Sequence, residues 1–115
     1  MTLSNPSVEA AVGADMRVQS LIDITKALDL IFEEENTALE ASRPEDAAAF
    51  QPEKARLAAA FAQSIRDIAA DRIGIGAVDG ELLAELRQTT LAFEARAARQ
   101  KALLDAADTA PQEPA

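Results

Sequence analysis

Residues 15–41, DMRVQSLIDITKALDLIFEEENTALEA, decide how the chain folds. Their large apolar members are Val18, Leu21, Ile22, Leu28, Ile31, Phe32 and Leu39, joined by steps of three, four and seven. That is the repeat of one face of an α-helix. Thr25 and Glu35 fall on the same face and dilute it, while Ile24 and Leu30 widen it, so the helix is expected to be covered on more than one side. The run Glu33-Glu34-Glu35 points in three directions, which puts at least one carboxylate near a contact edge.

On the N-terminal side, residues 1–14 are mostly small or polar and read as a flexible lead-in. They have neither the basic nor the apolar region of a signal peptide, and the expected location is cytoplasmic. On the C-terminal side, Ser42-Arg43-Pro44-Glu45 is a break. Ser42 and Glu45 have capping-box spacing, and Pro44 suits a first helical turn. A second helical segment carries Phe50, Leu57, Phe61, Ile65 and Ile68 at helical spacing. Pro52 interrupts it and predicts a kink or a short break, with a short helix over Glu45 to Phe50 and a longer one from Pro52 to about Arg72; a bent but continuous helix is the competing description.

Gly74, Gly76 and Gly80 mark a loop over residues 73–80, where Asp79 or Gly80 can cap a third helix. That helix is expected over 81–107. Leu83, Leu86, Thr90, Phe93, Ala97, Gln100 and Leu104 follow a coiled-coil-like 3-4 step diluted by Ala and polar residues. The two prolines of residues 108–115 predict a disordered tail. The expected organisation is a helical bundle over 15–107. The fold class is all-α: an elongated antiparallel three-helix bundle, or coiled-coil-like helical hairpin, with a kinked second helix.

Composition narrows function. The 115 residues are 49% hydrophobic, yet 27 of the hydrophobic residues are Ala, leaving a thin supply of large core side chains. There is no His, Cys, Trp or Tyr. That removes cysteine nucleophiles, disulfides, histidine triads and ordinary zinc or haem sites, so no cofactor and no enzyme activity are expected. The net charge of −9 argues against nucleic acid, and no apolar run is long enough for membrane insertion. Residues 1–46 carry ten acidic and three basic side chains, whereas residues 47–104 are nearly balanced. An acidic first helix lying against more basic partners follows.

The candidate chemistry reduces to surfaces. Glu33, Glu34, Glu35 and Glu40 are read as solvated carboxylates, and Gly74-x-Gly76-x-x-x-Gly80 as a helix-to-helix turn and not a phosphate loop. Arg87, Arg96, Arg99 and Lys101 form a basic surface suited to internal pairing. The apolar seams are a core first. In a thin, elongated bundle, part of a seam stays uncovered, and such seams take a partner helix or a second copy of the chain.

Residues 28–57 resemble the opening of the FlgN-type flagellar export chaperones. The likeness is carried by Leu28-x-x-Ile31-Phe32-Glu33-Glu34-Glu35-Asn36-Thr37-Ala38-Leu39, an acidic turn at Arg43-Pro44-Glu45-Asp46, Phe50, and Glu53-Lys54-x-x-Leu57. Pro52, directly before Glu53, departs from the pattern. The resemblance implies a cytoplasmic helical chaperone that holds the amphipathic C-terminal helix of hook-associated flagellar subunits before export. It puts the client groove toward the C-terminal helix, here Leu83, Leu86, Leu91, Phe93, Leu103 and Leu104. The alternative is a structural or regulatory coiled-coil module that self-associates, as a homodimer, without a client.

Overall fold

The computed structural model describes residues 6–109, with side chains placed over 13–108. It is all-α, with no strand among the described residues. The helices are α1 (Pro6–Glu40), α2 (Pro44–Ala48), α3 (Gln51–Ala69), α4 (Arg72–Gly76) and α5 (Gly80–Thr109). The radius of gyration is 18.9 Å, against about 13 Å for a compact domain of this length, and the extents are 77 × 24 × 19 Å.

The long helix α1 touches every other helix. Its contacts set the directions. Glu35 meets Lys54 and Arg17 meets Asp71, so α3 runs antiparallel to α1. Lys26 meets Glu85 and Glu40 meets Arg99, so α5 runs parallel to α1. The face predicted from steps of three and four is the buried one. Ala14, Val18 and Ile22 form one apolar cluster with Val78, backed by Ile68, Ile75, Leu82, Leu83 and Leu86. Leu28, Ile31 and Leu57 form a second, backed by Ile24, Ala27, Phe32, Phe50, Phe61 and Phe93. The coverage from two sides expected from Ile24 is realised: this residue packs toward α3. Leu30 is not covered.

Boundaries differ from the sequence reading in four places. First, α1 starts at Pro6, so the lead-in expected over residues 1–14 is helical from Pro6 onward, and Ala14 belongs to the core. Proline fits such a start because its missing N–H has no partner in a first turn.

Second, Ser42 does not cap α2. It sits in the left-handed region at φ 58° and closes α1 instead: Arg43 N–H donates to Ala38 O at 2.8 Å and Ser42 N–H to Leu39 O at 3.1 Å. This is the Schellman pattern, in which glycine is the usual occupant. Third, of the kink and the short break expected at Pro52 the break is formed: the chain turns at Ala49–Phe50 and Pro52 opens α3 within its first two positions, so the second helix is not a kinked continuous one. Fourth, the Gly-containing loop holds α4. Asp71 caps it by accepting from Gly74 N–H at 3.1 Å, and a Cβ at Gly74 would collide with that carboxylate. Asp79 accepts from Glu81 N–H at 3.3 Å as α5 begins. At the other end α5 runs on to Thr109, and residues 110–115 of the expected tail lie outside the described residues.

The three long helices are tied by a buried polar cluster. Glu35, only 2% exposed, lies 3.1 Å from Lys54 Nζ and accepts from Gln51 Nε2 at 3.1 Å and Gln100 Nε2 at 3.2 Å. Gln100 also donates to Asn36 Oδ1 at 3.2 Å and accepts from Lys54 Nζ at 2.8 Å. Lys54 Nζ stands 4.2 Å from the centre of the Phe32 ring, a cation–π contact. Glu35 is thus the buried exception to the solvated reading of the acidic run; Glu33, Glu34 and Glu40 are exposed.

Two outcomes follow. Lys54→Met leaves the Glu35 charge without its cation and should lower the unfolding free energy by about 3 kcal/mol or more, with Glu35→Met in the same chain recovering most of the loss; urea unfolding reads both. Ser42→Gly removes a side chain from the left-handed region and should raise stability by about 0.5–1 kcal/mol in the same assay.

Candidate functional site

The third-helix residues named from sequence divide between core and surface. Leu83 and Leu86 pack on the Val18–Ile22 cluster. Phe93 stands edge-on to Phe32, ring centres 5.1 Å apart at 70°, and tilted against Phe61 at 6.2 Å and 43°. Leu103 is half-buried. Leu91 is 61% exposed and Leu104 is 46% exposed. At 100° per residue, Leu91 and Leu104 lie about 140° apart around α5. The six residues therefore do not make one surface: three belong to the core, and the exposed pair faces different ways.

Leu104 borders a small hollow with Leu39, Pro44, Ala47 and Ala48, floored by Glu35, Lys54 and Gln100. Leu91 lies on the opposite flank, with Leu83, Leu86 and Thr90 on one side of it. On its other side, Gln88 and Ala92 face α1 across a shallow groove completed by Thr89, Lys26, Asp29 and Leu30. Leu30 is 59% exposed there. Leu30 is therefore the large apolar side chain of the groove between α1 and α5, and Leu91 belongs to the separate flank of α5.

The groove is shallow because its floor residues on α5 are small, and it is rigid because ion pairs lock its two helices. Lys26 lies 3.1 Å from Glu85. Arg96 lies 3.1 Å from Asp29 and 3.8 Å from Glu33, and its backbone carbonyl accepts from Asn36 Nδ2 at 3.2 Å. Hydrogen bonding to Asp29, and then the charge of that carboxylate, hold the Arg96 guanidinium above its already high ordinary pKa. Arg99 lies 3.2 Å from Glu40. The expected pairing of an acidic first helix with a more basic third one is what these distances describe. Arg87 carries no ion pair among the described residues and stands on the far side of Leu91 from α1.

Leu30 was missed as a site residue because it reads as a widening of the buried stripe. The available signal was its offset of two residues from both Leu28 and Phe32, about 200° around the helix from each, a position no core stripe needs. The Glu35 carboxylate is tied to three donors, Lys54, Gln51 and Gln100. Among the described residues no group of three or more His, Cys, Asp or Glu is placed to hold a metal ion. No helix among them is long and apolar enough to cross a membrane. No family model, curated protein or solved structure matches the chain.

Since Leu30 and Leu91 are exposed and Leu86 and Phe93 are packed, substitutions should separate. Leu30→Ser and Leu91→Ser should each change the unfolding free energy by less than about 0.5 kcal/mol, whereas Phe93→Ala and Leu86→Ser should each cost about 2–3 kcal/mol. Thermal and urea unfolding followed by circular dichroism reads the difference.

Proposed function

We propose that the chain is a cytoplasmic, non-enzymatic three-helix bundle that binds an amphipathic helix of another protein, in the manner of the FlgN-type export chaperones it resembles. The observation that carries this reading is Leu30, uncovered in the groove between α1 and α5, whose two helices are tied by ion pairs. Exposed apolar strips rimmed by polar residues are where soluble proteins dock partners. A helix laid on such a strip would bury alternate turns of its own apolar face, the helix-in-groove mode.

The residues behind the resemblance support the architecture and not the docking. Glu35 and Lys54, from the two halves of the likeness, pair with each other, and Leu28, Ile31 and Leu57 share one core cluster. The signature thus describes how the first two long helices lock across the α2 turn. The client surface belongs to the α1–α5 flank, toward the C-terminal helix as the resemblance implies, with Leu30 of α1 added. A client of the hook-associated class would present its C-terminal helix there and be kept from premature assembly.

Calorimetric titration with hook-associated subunits tests this reading. Stoichiometric binding that requires their C-terminal helix is expected, and Leu30→Asp should abolish it without loss of helicity. Absence of binding, together with a stable homodimer in sedimentation, would instead identify the self-associating coiled-coil module.

A further inference from the structure

Beyond the client-binding reading, we propose that the chain forms a twofold-symmetric dimer through the outer flank of α5, two copies of that helix packing antiparallel about Thr90 and Leu91. This flank is one hollow lined by Leu83, Leu86, Arg87, Thr90, Leu91 and Glu94, and Leu91 is 61% exposed in it. Its two charges are Arg87 and Glu94, and neither belongs to an ion pair among the described residues. They stand about two turns apart on α5, roughly 10 Å along its axis, too far to hold each other. They also lie about 120–180° around the helix from Glu85, Arg96 and Arg99, the residues that pair with α1.

The pattern is complementary to itself. A positive and a negative charge at equal distances either side of residues 90–91 exchange places when the helix is reversed. A twofold axis there sets Arg87 of each copy beside Glu94 of the other, and closes Leu91 of each against Thr90 of the other. A symmetric contact needs one patch that fits its own copy, and this flank has that form. The same reversal puts Leu83 opposite Ala98, a large side chain facing a small one, which lets the helices approach closely. The net charge of −9 is carried mostly by residues 1–46, and α1 lies on the other side of α5 from this flank. Two α5 helices therefore stand between the acidic α1 helices of the pair and keep them further apart than a Debye length, about 10 Å at 0.1 M salt.

Sedimentation of the full chain at concentrations up to about 1 mM, with circular dichroism as the check on folding, forms the test. A dimer that dissociates on dilution is expected. Leu91→Ser should weaken it at least about tenfold. Arg87→Glu, which sets two pairs of like charge face to face, should do the same. Glu94→Arg should weaken it too, although it makes the chain less negative; a dimer limited by general repulsion would tighten instead, and that result would overturn the pairing. Arg87→Glu combined with Glu94→Arg reverses both pairs and should restore association. Helicity should hold throughout, because Arg87, Leu91 and Glu94 are all exposed. A chain that stays monomeric at every concentration would overturn the proposal. So would a dimer indifferent to Leu91→Ser and Arg87→Glu, or one dissolved by Leu30→Ser, which would seat the second copy in the α1–α5 groove. A weakened dimer that the combined reversal fails to restore would overturn the twofold arrangement. The groove beside Leu30 is a separate surface, so loss of the dimer leaves client binding standing, and loss of client binding leaves the dimer standing.

Discussion

The contact between Glu35 and Lys54 constrains everything around it. A carboxylate 2% exposed is costly to desolvate, and that cost is offset only where Lys54, Gln51 and Gln100 converge on it from two other helices. The apolar core alone is a weak guide to register, because hydrophobic burial is non-directional. Sliding α3 or α5 by a turn would keep most of the apolar burial yet strand a buried charge. The polar cluster thus selects one alignment out of several that hydrophobic burial alone would leave close in energy, the role best attested for buried polar groups in coiled coils.

Once that alignment is set, the rest of the molecule is placed. The left-handed Ser42 and the short α2 turn the chain so that α3 returns along α1, and Phe32, Phe61 and Phe93 meet from three helices. At the opposite end Arg17 reaches Asp71, 3.1 Å away, whose carboxylate also caps α4. The helix in the middle, α1, collects nearly all the fully buried side chains, while α5 contributes mostly half-buried ones. A helix covered on only one flank has surface to spare: Leu30 remains open in the α1–α5 groove and Leu91 on the other flank of α5.

Much of the helical pattern was legible because period is a local property. Val18, Leu21, Ile22, Leu28 and Ile31 are buried as their spacing demands, and the all-α class follows. Pairing is not local, and there the sequence was silent. Glu35 and Gln100 read as polar dilution of two separate seams, and nothing in either seam says that the two side chains are 3.2 Å apart. Ser42 was misread for a related reason. It has one familiar role, as an N-cap, and a neighbouring role at the end of the preceding helix that only backbone geometry distinguishes. The surface was harder still. A seam of Leu83, Leu86 and Phe93 is recognisable as apolar, but whether it is consumed by the core depends on the helices it meets, and here it is.

The polar cluster fixes α1 between its neighbours and leaves the groove beside Leu30, between α1 and α5, as the surface proposed to bind. Amide chemical shifts recorded during titration with an amphipathic, leucine-striped helix test this most directly. The predicted result is a set of perturbations centred on Leu30, Gln88, Thr89 and Ala92, with Glu35, Asn36 and Gln100 unmoved. Perturbations centred on the hollow beside Leu104, or spread through the polar cluster, would contradict it.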